Sequence, residues 1–230
     1  MKYKNIVEGK FISRPNRFIA HVEIEGVEYV VHVKNTGRCR ELLQPGATVY
    51  LEKSDNPARK TLYDLVSVKK GKRIVNMDSQ LPNGLVEEWL RESDEAREIL
   101  GDITFIKREK TYGKSRFDIY VEAGDRKIFI EVKGVTLEND NVVSFPDAPT
   151  ERGIKHLNEL VDALEDGYET YVFFVVQMEG VDYFTPAWDK HKAFGDALVN
   201  AHNKGVSVLA YDCKVSEDEV RINEAVMVQL

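Results

Sequence analysis

The run Arg116-Phe117-Asp118-Ile119-Tyr120-Val121-Glu122-Ala123-Gly124-Asp125-Arg126-Lys127-Ile128-Phe129-Ile130-Glu131-Val132-Lys133 alternates apolar and polar residues on both sides of Gly124-Asp125. Period-two alternation is the signature of a half-buried strand. A glycine-first dipeptide between two such strands suits a two-residue type II′ hairpin loop. With that loop, opposed residues have numbers summing to 249. Phe117 then meets Val132, Ile119 meets Ile130 and Val121 meets Ile128, which makes one face apolar. The other face pairs Glu122 with Lys127, Tyr120 with Phe129 and Asp118 with Glu131; Lys133 follows two residues on, with Arg116 opposite. A slip of one residue would mix the faces, so the register is well specified.

The consequence is two carboxylates across from each other with Cβ atoms about 5 Å apart, an unfavourable pairing unless a cation or a shared proton offsets it. A hard divalent ion such as Mg²⁺ or Mn²⁺, held by Asp118 and Glu131 with water and phosphate oxygens, supplies that offset. Lys133 would then contact a phosphate or help to deprotonate an attacking water. The competing reading of the same residues is a surface ion-pair cluster in which Arg116 and Lys133 neutralise the two acids.

Outward from the hairpin, the order of elements describes an α/β domain with a mixed central sheet over residues 81–230. Asn83 is placed to cap a helix running to Leu100, with Leu85, Val86, Trp89, Leu90, Ala96 and Ile99 on one stripe. Strands follow at 103–109, 116–122 and 127–133, then an irregular stretch at 134–149. Thr150 caps a helix carrying Leu157, Leu160, Val161 and Leu164 at helical spacing, and 171–177 reads as a central strand covered on both faces. A last helix spans about 189–204 and a last strand 206–211.

Residues 1–80 read differently. Strands at 18–23, 27–33, 48–52, 61–68 and 73–76, with one helical turn at 37–43, fit a five-stranded OB-type β-barrel, and a barrel of the SH3 kind almost as well. This segment holds 15 Lys and Arg against 9 Asp and Glu, whereas residues 81–230 hold 17 against 30, within a chain of net charge −7. A basic barrel beside an acidic domain is compatible with phosphate binding whatever the total. Arg14, Arg17, Lys34, Arg38, Arg40, Arg59 and Lys60 are the barrel's candidate DNA contacts, with Phe11 and Phe18 as stacking surfaces. Arg116, Arg152 and Lys155 extend the set into the second domain, the last two at a helix N-terminus that attracts anions.

No run approaches the roughly 20 apolar residues of a membrane span. Cys39 and Cys213 have no CxxC partner and read as reduced thiols of a cytoplasmic protein. A phosphate loop of the Walker type, a zinc-ligand cluster and a GxSxG elbow are absent from the sequence. Nothing in the sequence fixes the oligomeric state; a homodimer is compatible with it.

Asp118, Glu131 and Lys133, ordered D-x(12)-E-x-K on a hairpin behind a helix, resemble the core of the PD-(D/E)xK nuclease superfamily. That resemblance implies a further acid from the first helix. Glu88 borders the apolar stripe and is its candidate, whereas Glu87 points away. His156 also borders a stripe, where it either packs or reaches the site from the side; Asp147 reads as a turn residue.

Along nearly its whole length the sequence resembles the sugar fermentation stimulation protein family. The matching segments include Asn35-Thr36-Gly37, Ser54-Asp55-Asn56, Asn83-x-Leu85-x-x-Glu88, Ser115-Arg116-x-Asp118 and Ile130-Glu131-Val132-Lys133. The longest runs from Phe145-Pro146-Asp147-Ala148 through Thr150-Glu151-Arg152-Gly153 to Lys155-His156-Leu157. The resemblance implies an OB-fold followed by a PD-(D/E)xK nuclease-like domain, DNA as partner, and an association with regulation of sugar metabolism in bacteria. Two functions follow as expectations: a Mg²⁺-dependent deoxyribonuclease, or a catalytically inactive DNA-binding regulator. An oligosaccharide-binding barrel is the reading from a different class.

Overall fold

A computed structural model describes residues 1–35 and 37–230; Thr36 lies outside the described residues. Strands β1 (Ile6–Ser13), β2 (Ile19–Ile24), β3 (Val27–Val33), β4 (Thr48–Lys53), β5 (Tyr63–Lys70) and β6 (Arg73–Asn76) form one sheet in the order β3-β2-β1-β4-β5-β6. Parallel pairing of His32 with Asp64 and Val33 with Leu65 joins β3 to β5 and closes a five-stranded barrel. β6 prolongs β5 as a hairpin.

The five strands of the barrel are therefore β1–β5, whereas the apolar alternation of the sequence points to β6 and not to β1. Gly9 is the cause. Gly9 and Phe11 are the inward positions of β1, and a Cβ on Gly9 would stand 2.6 Å from Val22 Cγ1 and 2.9 Å from the carbonyl oxygen of Glu23. Strand backbones approach too closely there for any side chain, so the apolar signal is missing where it would identify the strand. At 37–43, the Cys39 carbonyl accepts from the Leu42 and Leu43 N–H groups and closes the one expected helical turn.

Two helices, α1 (Leu81–Glu92) and α2 (Asp94–Leu100), stand where one was expected from 83 to 100. Ser93 is extended (φ −85°, ψ 131°) and its hydroxyl accepts from the Ala96 N–H, so it ends the first helix and caps the second. Asn83 lies inside α1 rather than at its cap.

After α2 come β7 (Ile103–Tyr112), β8 (Ser115–Ala123), β9 (Arg126–Val135), β10 (Leu137–Asn139), β11 (Val142–Phe145) and α3 (Glu151–Glu165). Then follow β12 (Glu169–Val176), β13 (Tyr183–Pro186), α4 (Trp188–Asn203), β14 (Ser207–Val215), β15 (Val220–Ala225) and β16 (Met227–Val228). The main sheet has the order β15-β14-β12-β9-β8-β7, with β9, β12 and β14 parallel and the rest antiparallel. Ile119, Ile128, Ile130 and Phe173 pack beneath Leu85, Trp89 and Leu90 of α1. Phe129, Val172 and Phe174 pack on the other side with Leu157 and Leu160 of α3 and Phe194 and Leu198 of α4. β12 is thus covered on both faces, as its unbroken apolar run implies.

The irregular stretch at 134–149 contains β10 and β11, which join β13 and β16 in a second sheet. Their loop is Asp140-Asn141, both residues at positive φ (49° and 66°), a primed hairpin turn within a stretch that lacks strand alternation in the sequence.

Buried hydrogen bonds join barrel and sheet. Gln177 Nε2 donates to Asn76 Oδ1 at 2.8 Å and to the Asp78 carbonyl at 3.0 Å, and the Asn76 N–H donates to the Gln177 carbonyl at 2.9 Å. Lys70 and Arg73 reach Glu138 across the same junction. Among the described residues, no helix is long and apolar enough to cross a membrane.

Candidate metal and nucleic-acid site

The β8–β9 ladder forms in the expected register at Glu122–Lys127, Val121–Ile128, Tyr120–Phe129 and Ile119–Ile130, and stops there. Gly124 takes φ 59° in the loop. Beyond Ile119 the expected face changes. Phe117 packs on Phe129 (ring centroids 4.9 Å apart) and Tyr112 (5.8 Å), not on Val132. The β7–β8 tip curls over α3, where the Tyr112 hydroxyl donates to Asp166 at 2.6 Å, and it carries Phe117 with it. The Asp118 carboxylate continues the ladder in place of backbone: Oδ2 accepts the Val132 N–H at 2.8 Å and Oδ1 accepts the Asn83 amide at 3.0 Å.

Glu131 is buried, 2% exposed. Its Oε1 accepts from the Lys133 ammonium and from His156 Nδ1, while its Oε2 is buried with no hydrogen-bond partner. Arg152 Nε donates to His156 Nε2 at 3.4 Å, which assigns the imidazole proton to Nδ1. Burial, and then the charge of Glu131, hold the Asp118 carboxyl above its ordinary range. Burial pushes Glu131 the same way, but the bonds from His156 and Lys133 outweigh it and bring its carboxyl below the usual value. Two acids are thus driven apart in protonation behaviour within one small space.

This donor set fits a hard divalent cation. The orphaned, buried Oε2 of Glu131 is a costly acceptor to leave unmatched, and magnesium is commonly held by one or two carboxylates with water and phosphate making up the rest. Among the described residues, no group of three or more His, Cys, Asp and Glu side chains is arranged to hold a metal.

Glu88 does not join these groups; its carboxylate accepts from the Met1 amine at 2.9 Å. α1 presents Asn83 to the site instead. His156, read as packing or reaching in from the side, does reach Glu131. Asp147 is exposed and lies against Gly37, where an added Cβ would be 2.7 Å from its Oδ2.

The barrel cations divide in two. Arg14 spends its guanidinium on the carbonyls of Arg17, Asn35, Gly37 and Arg38, at 2.6–2.8 Å, and so holds two loops together. Lys34 sits among Glu52, Asp64 and Asp78 at 3.4–3.6 Å. Arg59 grips Asp64 with both Nη atoms. These three are internal ties, which composition cannot distinguish from surface cations. Arg17, Arg38, Arg40 and Lys60 are exposed. The first three, with Arg14, line a groove of about 500 Å³ that includes no carboxylate among its lining residues. Phe18 is 47% exposed beneath the Arg17 guanidinium, 4.8 Å from its ring centroid; Phe11 is 3% exposed and belongs to the core. In the second domain Arg116 pairs with Glu109 at 3.3 Å, Lys155 with Glu159 at 3.6 Å, and Arg152 is exposed. Both cysteines are free and buried, and burial pushes the Cys39 thiol up to about 12.

A family model described as the SfsA N-terminal OB domain matches residues 12–77, and one described as the sugar fermentation stimulation protein RE domain matches residues 80–219. The chain belongs to the sugar fermentation stimulation protein family. A sugar fermentation stimulation protein homolog of Ruminiclostridium cellulolyticum is 58% identical over 230 residues, covering 100% of both chains. One from Clostridium beijerinckii is 57% identical over the same span, again covering 100% of both. The solved structure of Pyrococcus furiosus SfsA in complex with Ca²⁺ matches 100% of this chain and 98% of that one, with a TM-score of 0.89 at 26% identity. Family membership thus accounts for both halves of the architecture, the closed barrel and the mixed sheet behind it.

Proposed function

We propose that this family member binds DNA along its barrel groove and hydrolyses phosphodiester bonds with a divalent cation held by Asp118 and Glu131. The observation that carries the reading is the unpartnered, buried Oε2 of Glu131 beside the Asp118 carboxylate. The Ca²⁺ complex of the Pyrococcus furiosus relative supports it, since that protein shares the fold over the whole chain. Bound there, Mg²⁺ or Mn²⁺ would act as a Lewis acid on a phosphate oxygen and lower the pKa of a coordinated water.

The chain's own residues do the rest. Lys133, 15% exposed and paired with Glu131, lies where it can meet a phosphate or take a proton from water. His156 and Arg152 fix the orientation of Glu131, and Asn83 with the Val132 N–H fixes that of Asp118. Arg17, Arg38 and Arg40 bind phosphates in the groove, and Phe18 offers a base-stacking surface.

A second reading has its own support. Among the described residues no third acid joins the pair, which suits a site that uses a cation to bind DNA without cutting it, as a regulator would. Incubating the protein with single- and double-stranded DNA plus Mg²⁺, Mn²⁺ or EDTA, beside Asp118→Ala, separates the two. Cation-dependent cleavage lost in the variant supports hydrolysis. Equal cleavage by both proteins rejects it, and salt-dependent binding without cleavage selects the regulator.

A further inference from the structure

The domain that holds Asp118 is acidic overall, yet strand β7 carries Lys107, Arg108 and Lys110 around the single acid Glu109. β7 is the edge of the main sheet, one strand beyond the strand of Asp118, so its outer backbone and much of its side-chain surface face solvent. Several cations of the same domain are held by acids, Arg126 by Glu169, Arg91 by Glu87 and Arg97 by Asp94. Lys107, Arg108 and Lys110 have no carboxylate within ion-pair distance among the described residues. Glu109 does not neutralise them. It adopts a left-handed conformation (φ 56°) between Arg108 and Lys110 and pairs with Arg116 of β8.

Arg108 stands opposite Ile119 and Lys110 opposite Phe117, the two residues that bracket Asp118. Lys107 stands opposite Tyr120, and the Lys110 ammonium lies 5.1 Å from the centre of that ring. Opposed residues share a sheet face, so Arg108 lies on the α1 side with Ile119, and Lys107 and Lys110 lie on the α3 side with Tyr120 and Phe117; the unpaired cations line both sides of the edge that flanks the candidate cation site. Their reach ends at the hairpin tip, where Lys114 shares a small groove with Glu159, Asp162 and Asp166.

We propose that β7 is a second DNA contact surface, a rail on which Lys107, Arg108 and Lys110 hold backbone phosphates beside the Asp118–Glu131 site. The rail deepens the DNA reading above and rests on it. Free edge strands also use lysine to discourage strand pairing between molecules, so the test must separate guarding from binding.

Binding of a short fluorescein-labelled DNA duplex is followed by anisotropy over a range of KCl concentrations, without divalent cation. The proteins are the full-length wild type, the triple variant Lys107→Gln/Arg108→Gln/Lys110→Gln, and Arg38→Gln/Arg40→Gln in the barrel. Each lost phosphate contact removes about 0.9 from the slope of log affinity against log salt. The triple variant is expected to lose about two to three from that slope, and Arg108→Gln alone about one. A triple variant that keeps the wild-type slope, while the barrel variant loses slope, overturns the rail and leaves the DNA reading standing. A triple variant that self-associates and keeps its slope overturns it too, assigning the cations to edge protection. Absence of binding by the wild type removes both. Should the triple variant melt early, Arg108→Gln alone decides.

Discussion

His156 Nδ1 and the Lys133 ammonium converge on the same oxygen, Oε1, of Glu131, and Oε2 of that carboxylate is left without a partner. A ligand held from behind in this way keeps its free lone pairs aimed in one direction. Removing such a support commonly lowers metal affinity about 10–100-fold. His156→Ala is expected to weaken Mn²⁺ binding by that factor in calorimetric titration, with far-ultraviolet circular dichroism unchanged. Undiminished affinity would remove His156 from the site.

Asp118 has the complementary role. A cation that binds the folded chain alone stabilises it by about 2.7 kcal/mol at a hundredfold excess over its dissociation constant. For a chain of this size that is a rise in Tm of roughly 5–10 °C. Thermal melts with MnCl₂ should show the rise in wild type and not in Asp118→Ala. Glu88→Ala should keep the full rise, because its carboxylate is bonded to the Met1 amine.

Arg14 and its neighbours should separate stability from binding. Arg14→Ala leaves four backbone carbonyls without their shared donor and is expected to cost more than about 2 kcal/mol in urea unfolding. Arg38→Gln/Arg40→Gln should leave the urea midpoint unchanged and remove about two from the salt slope of DNA binding. The reverse pattern would make Arg14 the ligand and the other two the ties.

Acid should unfold the protein through its internal ion pairs. Burial raises the Asp64 carboxyl, but Arg59, Lys34 and His32 overcome this and hold it below the ordinary value of 3.8. Lys70, with the Asn141 N–H and Arg73, does the same for Glu138 against its ordinary 4.5, again over the effect of burial. An acid whose folded pKa is depressed contributes stability above its unfolded pKa and loses it as pH falls through the folded one. Urea midpoints should therefore be flat near neutrality and decline once pH drops through these ordinary values. Lys34→Ala takes the shared ammonium from Glu52, Asp64 and Asp78 but leaves Asp64 its Arg59 partner, so it is expected to cost about 1–3 kcal/mol at neutral pH.

Much of this was legible in the residues. Alternation on both sides of Gly124-Asp125 specified the β8–β9 register, because a one-residue slip moves every side chain to the wrong face. It did not show that the ladder ends at Ile119, since the curl that carries Phe117 onto Phe129 depends on Tyr112 and α3, distant in sequence. β1 was hidden by Gly9, whose role is to have no side chain. Helix periodicity ran through Ser93 because α1 and α2 bury neighbouring stripes, although a serine three residues before Ala96 was a readable cap. Among the cations, nothing local separates Lys34, ringed by three carboxylates, from exposed Arg38. His156 had the spacing of a core residue and occupies a core position; only its neighbour Glu131 makes it part of a site.

The Asn76–Gln177 amide pair welds the barrel to the sheet through side chains that see almost no solvent. Cutting the chain between the two halves would expose those amides and the apolar surface around them, so neither half is a faithful miniature of the whole. Heat should melt the molecule in a single calorimetric peak, and a substitution at the seam should loosen DNA grip and cation grip together.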